Sequence, residues 1–274
     1  MNPLISTEEL ARNPDWRVFD CRHDLMKHEL GEAQYRESHI PGAAFAHLDQ
    51  DLSAAKSGMN GRHPLPDPAR FIAWLGAQGL KVSDTVVCYD GGPGAMAARL
   101  WWMLRWVGHE NVAVLDGGFA KWVKEGRPVS AEVPKFAASA YPGKVRSEMA
   151  VDVSHVQQRL GKELVLDARA PARWRGETEP IDPEAGRIPG SLNRFNSGNL
   201  TPEGVHRSPA ELRKDFEAVL GGRKPDEVVH SCGSGVAACH NLLAMEVAGL
   251  KGGKLYAGSW SEWIADPARP RERG

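Results

Sequence analysis

An excess of charge of either sign is missing from this chain: 34 Lys and Arg face 35 Asp and Glu, a formal net charge of −1. Without a basic field there is nothing to attract a polyanion, so nucleic acid is not an expected partner. Cysteine is scarce. The four residues Cys21, Cys88, Cys232 and Cys239 in 274 are too few for a disulfide scaffold at this length. Long apolar runs are missing too, since even "LWWMLRWV" is broken by Arg105 and a bilayer span needs ~20 such residues; no membrane partner is expected. The opening "MNPLISTEELARNPDW" lacks the charged and apolar regions of a secretory signal, so the expected location is cytoplasmic. Cys21-x-His23 and Cys239-His240 do not reach metal-ligand spacing. His230 and His240 read as structural, and neither metal nor cofactor is expected.

What is present is an internal repeat. Ser6 with Glu9 and Ser154 with Gln157 both have capping-box spacing, each before a strand ending in Asp, "WRVFDCR" at Asp20 and "LVLDAR" at Asp167. "SHIPGAAF" (38–45) answers "GRIPGSLN" (186–193), and "DPARFIAWL" (67–75) and "SPAELRKDF" (208–216) each set Pro just after a capping residue. "DTVVCYDGG" answers "DEVVHSCGS", and "DGGFAKW" (116–122) answers "AGSWSEW" (257–263). Strands alternating with helices in both copies imply an α/β fold of two tandem domains, 1–136 and 137–274, each a mainly parallel sheet flanked by helices. They would join near the Pro- and Ala-containing segment 128–146.

The stretch "VVHSCGSGVAACHN" (228–241) carries the chemistry. Val228 and Val229 end a buried strand, the small and apolar residues from Val236 onward suit a helix, and Cys232 falls at the turn between them. Gly233 and Gly235 let successive N–H groups from Gly233 to Ala237 converge above the helix N-terminus, an anion site that would favour the thiolate. As G-x-G-x-x-A, Gly233 to Ala238 is a weak dinucleotide fingerprint, because the stretch Lys251 to Tyr256 lacks the acidic residue such a site requires. A cysteine phosphatase would carry a guanidinium in the cradle, yet Cys232 to Asn241 holds no arginine. What remains is a thiolate among neutral amide donors, suited to attack sulfur and to hold a persulfide. In the same register Asp90 replaces Cys232. Aspartate cannot carry sulfane sulfur, so the first copy reads as catalytically silent, with Asp90 as a helix cap.

The paired "HIPG" and "RIPG" turns, the "GG-x-x-x-W" and "GSWSEW" endings and "CGSGVAAC" make the sequence resemble the tandem-domain rhodanese family of sulfurtransferases across nearly the whole chain. The Cys-Gly-Ser-Gly-Val loop resembles the 3-mercaptopyruvate branch, although Ala237 departs from the threonine usual there. The resemblance implies that Cys232 takes sulfane sulfur from a small anionic donor, with Gly233, Gly235, Val236 and Ala237 lining the donor site. Its acceptor would be a thiol, such as thioredoxin or a small thiol, or cyanide. It further implies that Arg173, in "ARWRGETEP", holds the donor's anionic group, and that Ser234, His63 in "GRHPLP" and Asp49 in "HLDQDL" form a proton relay. The family's second anchor arginine is missing from "GETEPIDPEAG", where Ile181 and Asp182 stand instead; Arg187 is the sequence's candidate replacement. Thiosulfate sulfurtransferase is the alternative activity, and a sulfur carrier without turnover a more distant one.

Overall fold

The computed structural model describes residues 1–274. They fall into two compact units: 1–54 with 66–146 and 202–206, and 55–65 with 147–201 and 207–274. Residues 137–146 therefore lie in the first unit. They are tied there by the Ser139 N–H to Gly76 C=O (2.8 Å) and the Lys144 N–H to Val107 C=O (2.9 Å).

The first unit runs β1 (Leu4–Ile5), α1 (Thr7–Arg12), β2 (Arg17–Asp20), α2 (Leu30–Glu37), β3 (Ala44–Phe45), α3 (Pro68–Ala77), β4 (Val86–Tyr89), α4 (Ala95–Trp106), β5 (Val112–Leu115) and α5 (Gly118–Lys124). The second runs β6 (Ala150–Val151), α6 (Val153–Gln158), β7 (Leu164–Asp167), α7 (Pro171–Trp174), β8 (Leu192–Asn193), α8 (Pro209–Leu220), β9 (Val228–Ser231), α9 (Ala237–Val247), β10 (Lys254–Tyr256) and α10 (Ser259–Trp263). Each unit holds a five-stranded sheet, in the orders β1-β5-β4-β2-β3 and β6-β10-β9-β7-β8, and all pairings are parallel. The repeat seen in the sequence is thus a repeat of topology. No helix is long and apolar enough to cross a membrane.

Both central strands are buried along their length, "VVCY" in β4 and "VVHS" in β9, as expected of parallel strands covered on both faces. The helices that follow them are buried nearly all round. In α4 the sequence "AMAARLWWMLRW" buries Trp101, Trp102 and Trp106, and in α9 small residues let the helix lie close against the sheet. Leu212, Phe216 and Leu220 of α8 close the second core over Leu164, Leu166 and Val228, while Trp260 and Trp263 cover the other face against Val165, Val229 and Tyr256.

The caps mostly follow the sequence. Ser6 accepts from the Glu9 N–H, Asp67 caps α3 and Ser208 forms a capping box with Glu211. The box expected at Ser154 does not form. Asp152, in extended conformation, accepts from the His155 N–H at 2.8 Å, so α6 starts two residues earlier and Ser154 falls inside it. The two "D-x-R" strand ends give matching buried pairs: Arg22 with Asp20 and Ser38 C=O, Arg169 with Asp167 and Gly186 C=O. Losing one partner of such a pair typically costs about 3–5 kcal/mol.

His230 of β9 is fully buried and its ring nitrogens have no hydrogen-bond partner. Desolvation pushes its pKa down to about 3. The unfolded chain takes up this proton near pH 6.5 and the folded chain only near 3. Stability from this group is therefore complete above about pH 6.5 and is lost as pH falls through that window. Between pH 7 and 5.5 the wild type should lose about 1 kcal/mol more unfolding free energy than His230→Leu, read from denaturant curves; equal losses would contradict the assignment.

Candidate functional site

Cys232 lies immediately beyond the carboxyl end of β9. From β7 the chain leads outward to β8, whereas from β9 it leads to β10 on the other side. The two strands flank a topological switch point, where α/β sheets leave a crevice beyond the strand ends. The turn at Cys232 is held by a second turn before α10. The Cys232 N–H donates to Ser259 Oγ at 3.0 Å, the Trp260 N–H to Cys232 C=O at 3.0 Å, and the Ser261 N–H to Gly233 C=O at 2.9 Å. Ser259 accepts a left-handed φ of 54° for this, a conformation non-glycine residues rarely adopt. Gly235 is required sterically: its φ is +74°, and a Cβ there would meet Ala257 O at 2.4 Å. Its N–H points at the nucleophile, donating to Cys232 Sγ at 3.1 Å. Val236 is the N-cap and Ala237 opens α9.

The first unit shows what this turn binds. There the Phe119 N–H donates to Asp90 C=O at 2.8 Å, as Trp260 does to Cys232, and Gly118, with φ +57°, takes the place of Ser259. The Asp90 carboxylate accepts from the N–H groups of Gly92, Gly94, Met96 and Ala97 at 2.9–3.3 Å. The first unit supplies this turn's anion from its own sequence. Asp90 is a cap, and the same architecture in the second unit presents amides to a cysteine sulfur instead.

Around Gly233 lies a cluster of charges. Arg173, on α7, donates to both oxygens of Glu179 (2.6–3.1 Å) and to Asp182 Oδ2 at 3.2 Å. Glu179 also accepts from Arg169 Nη1 at 3.4 Å and from the N–H groups of Ile181 and Asp182. The other oxygen of Asp182 is bonded by Arg62 Nη1. Arg62 and His63 belong to the segment 55–65 of this unit, anchored by the Arg62 N–H to Ser261 Oγ at 3.0 Å. Burial pulls the Arg62 pKa below its ordinary value. Next to Arg62, His63 is buried and its Nδ1 lies 2.8 Å from Ser234 Oγ.

The structure thus brings together Cys232, Gly233, Ser234, Gly235, Val236, Ala237, Arg173 and His63. Asp49 is in the first unit, where its Oδ2 lies 2.6 Å from His28 Nδ1 and 3.8 Å from His23 Nε2. With those two histidines it forms a grouping whose ligand atoms lie within 4.8 Å of one another. Arg187 does not serve the loop. Its Nη2 pairs with Glu272 at 2.5 Å, its Nη1 with Gly274 C=O, and its guanidinium lies 4.2 Å over Trp174, so it fastens the C-terminal segment. Among the other cysteines, Cys239 donates to Gly235 C=O and burial raises the Cys21 thiol well above its usual range. Sequence reasoning did not find Arg62, Glu179, Ser259 or the bridging role of Asp182. The available signals were the neighbour of His63 and the Gly118-to-Ser259 change in the repeat.

Known proteins match this arrangement. The Rhodanese-like domain family matches residues 6–125 and again 152–266. A Pseudomonas aeruginosa protein named probable 3-mercaptopyruvate sulfurtransferase is 46% identical over 278 residues, covering 99% of this chain and 98% of that relative. A putative thiosulfate sulfurtransferase of Mycobacterium tuberculosis is 36% identical, covering 99% of this chain and 97% of the relative. The solved 3-mercaptopyruvate sulfurtransferase from Leishmania major superposes with a TM-score of 0.88 at 32% identity, covering 97% of this chain and 75% of that one.

Ser259→Ala should destabilise the second unit by about 1–3 kcal/mol, because the buried Cys232 N–H loses its acceptor. Ser259→Gly should cost less, since glycine adopts the left-handed conformation without strain. Urea unfolding of the two variants checks this. Equal and negligible losses would show that the hydroxyl does not hold the turn.

Proposed function

The chain belongs to the rhodanese family and is a sulfurtransferase, and we propose that its preferred donor is 3-mercaptopyruvate, with sulfur carried as a persulfide on Cys232. The observation that carries this reading is the Ser234–His63 contact of 2.8 Å in the Cys232 loop. Cys232 thiolate attacks the donor's sulfur; the S–S bond forms as the C–S bond breaks, and the electron pair leaves on carbon as the enolate of pyruvate. That enolate needs a proton. The Ser234 hydroxyl can deliver it and be reprotonated through His63. Thiosulfate releases sulfite on the same attack and needs no proton at carbon.

Loop composition supports the same choice. A dianionic donor is best served by cationic side chains in the loop, whereas positions 234, 236 and 237 carry Ser, Val and Ala. Asp49 enters the proposal through the family resemblance of "HLDQDL" alone, as the relay's carboxylate. Gly235 N–H, already directed at Cys232 Sγ, would hold the charge of the persulfide. The persulfide is then discharged onto a thiol or cyanide; a protein thiol such as thioredoxin, or a small thiol, is the proposed physiological acceptor. Four free, buried cysteines fit a reducing compartment, and the cytoplasm is the proposed location.

The wild type should turn over 3-mercaptopyruvate with a higher kcat/KM than thiosulfate. Ser234→Ala and His63→Ala should each lower mercaptopyruvate kcat by about 10²- to 10⁴-fold, and the double variant by little more, because residues acting as a unit are non-additive. Asp49→Asn should fall in the same direction. Thiosulfate turnover should stay within a few-fold in all of them. Steady-state kinetics with both donors decides. A wild type that prefers thiosulfate, with His63→Ala slowing both donors alike, would overturn the reading.

A further inference from the structure

The first unit gathers nitrogen and oxygen ligands beyond the carboxyl ends of β2 and β3. His23 follows β2, His28 ends the turn after it, and Asp49 lies in the turn after β3, 21 residues beyond His28. Asp49 Oδ2 lies 2.6 Å from His28 Nδ1 and 3.8 Å from His23 Nε2, and one ligand atom from each residue falls within 4.8 Å of the other two. Around a tetrahedral Zn²⁺ with bonds of about 2.0–2.2 Å, neighbouring ligand atoms sit ~3.3 Å apart, so each separation here needs to change by about 1.5 Å or less. We propose that His23, His28 and Asp49 form a binding site for a divalent first-row transition metal ion of the zinc class, with the fourth coordination position open to solvent.

A simple ion pair does not account for the arrangement. His28 alone satisfies Asp49 Oδ2, yet a second imidazole closes on the same oxygen. Burial is the largest influence on His23 and holds its pKa below the ordinary value, so at neutral pH the ring is uncharged and has a lone pair to give. Two imidazole nitrogens with one carboxylate suit zinc, copper, nickel or cobalt better than magnesium or calcium, which favour oxygen ligands. Both arms of the site are held by their own turns. On one side Asp24 Oδ1 accepts from the N–H groups of Met26 and Lys27 at 2.8 and 2.9 Å, a turn that brings the His28 ring within 5.4 Å of His23. On the other, the His47 N–H donates to Asp51 Oδ2 at 2.8 Å and the Asp51 N–H to His47 C=O at 2.9 Å. His47 Nδ1 also accepts from the Asp49 N–H at 3.1 Å, which fixes the carboxylate-bearing residue. The site is open on one side only. The His23 side chain keeps 2% of its exposure and forms the floor, while His28 at 47% and Asp49 at 20% form the rim. An ion has a way in, and His28 has room to move onto it.

Binding is read without turnover, so the result does not depend on any part Asp49 plays in proton transfer. The experiment titrates Zn²⁺ into the untagged, chelator-treated full chain by calorimetry, in a Cys232→Ser background so that the reactive thiol takes no ion. One Zn²⁺ should bind per chain, and Co²⁺ should bind with the visible absorption of a four-coordinate ion and without a sulfur-to-metal charge-transfer band. His28→Ala and His23→Ala should each weaken Zn²⁺ binding by about a hundredfold or more. His155→Ala removes an imidazole paired with Glu163 elsewhere in the chain and should leave binding unchanged. Zn²⁺ should also raise the melting temperature of the parent protein and not that of His28→Ala. Absence of stoichiometric binding, or an affinity unchanged in both His28→Ala and His23→Ala, overturns the site. A strong thiolate band with Co²⁺ does the same, because it places the ion on cysteine. If His23→Ala does not fold, His28→Ala decides by the same criterion, its side chain being half-exposed.

Discussion

A backbone exchange between two turns, one after the central strand and one after its neighbour, fixes everything else at the site. In the second unit Cys232 gives its N–H to Ser259 and receives that of Trp260; in the first, Asp90 C=O receives the N–H of Phe119. The exchange turns the chain sharply from strand into helix with its amides facing inward. Such a turn stabilises negative charge whatever side chain supplies it. The first unit fills it with a carboxylate held by four amides. The second offers it to a thiol, and the same architecture becomes a place to carry sulfur.

Around this turn the protein spends much of its polar sequence on fixing guanidiniums rather than on exposing them. Arg169 is locked to Asp167, Arg173 to Glu179, and Asp182 joins Arg173 to Arg62. Pairs of this kind contribute little net stability, because desolvation cancels much of their attraction. Their effect is geometric. A guanidinium with one edge held by a carboxylate has its other edge aimed, so a ligand meets donors that need not reorganise. The segment carrying Arg62 and His63 brings a guanidinium and an imidazole to the loop, His63 meeting Ser234 across a sequence separation of 171.

Much of this was legible in the sequence, for physical reasons. Parallel strands buried on both faces are rich in apolar β-formers, so Val228 and Val229 marked a buried strand; it runs on through the polar pair His230 and Ser231. The aligned "IPG" turns and Trp-containing endings revealed a doubled fold, and Gly233 and Gly235 after Cys232 marked a turn of unusual backbone, which Gly235 takes up with φ +74°. The Asp90 cap was readable because aspartate is a good acceptor and a poor sulfur nucleophile. Other features depended on tertiary geometry. Ser154 had the right spacing for a cap and lost to Asp152, whose carboxylate accepts from the His155 N–H and starts the helix two residues earlier. Arg187 stood where an anchor could be, but the C-terminal Glu272 and Gly274 claim it. Arg62 lies 120 residues from Asp182, and no local pattern announces a contact across that separation.

The central claim is that the two units share one anion-binding turn and that only the occupant of the second carries sulfur. Peptide mass spectrometry of the whole protein after exposure to donor, with no acceptor present, tests it most directly. The account predicts one added sulfur per chain, on the peptide containing Cys232, and none in Cys232→Ser. Sulfur found mainly on Cys21, Cys88 or Cys239, or loading that persists in Cys232→Ser, would contradict it.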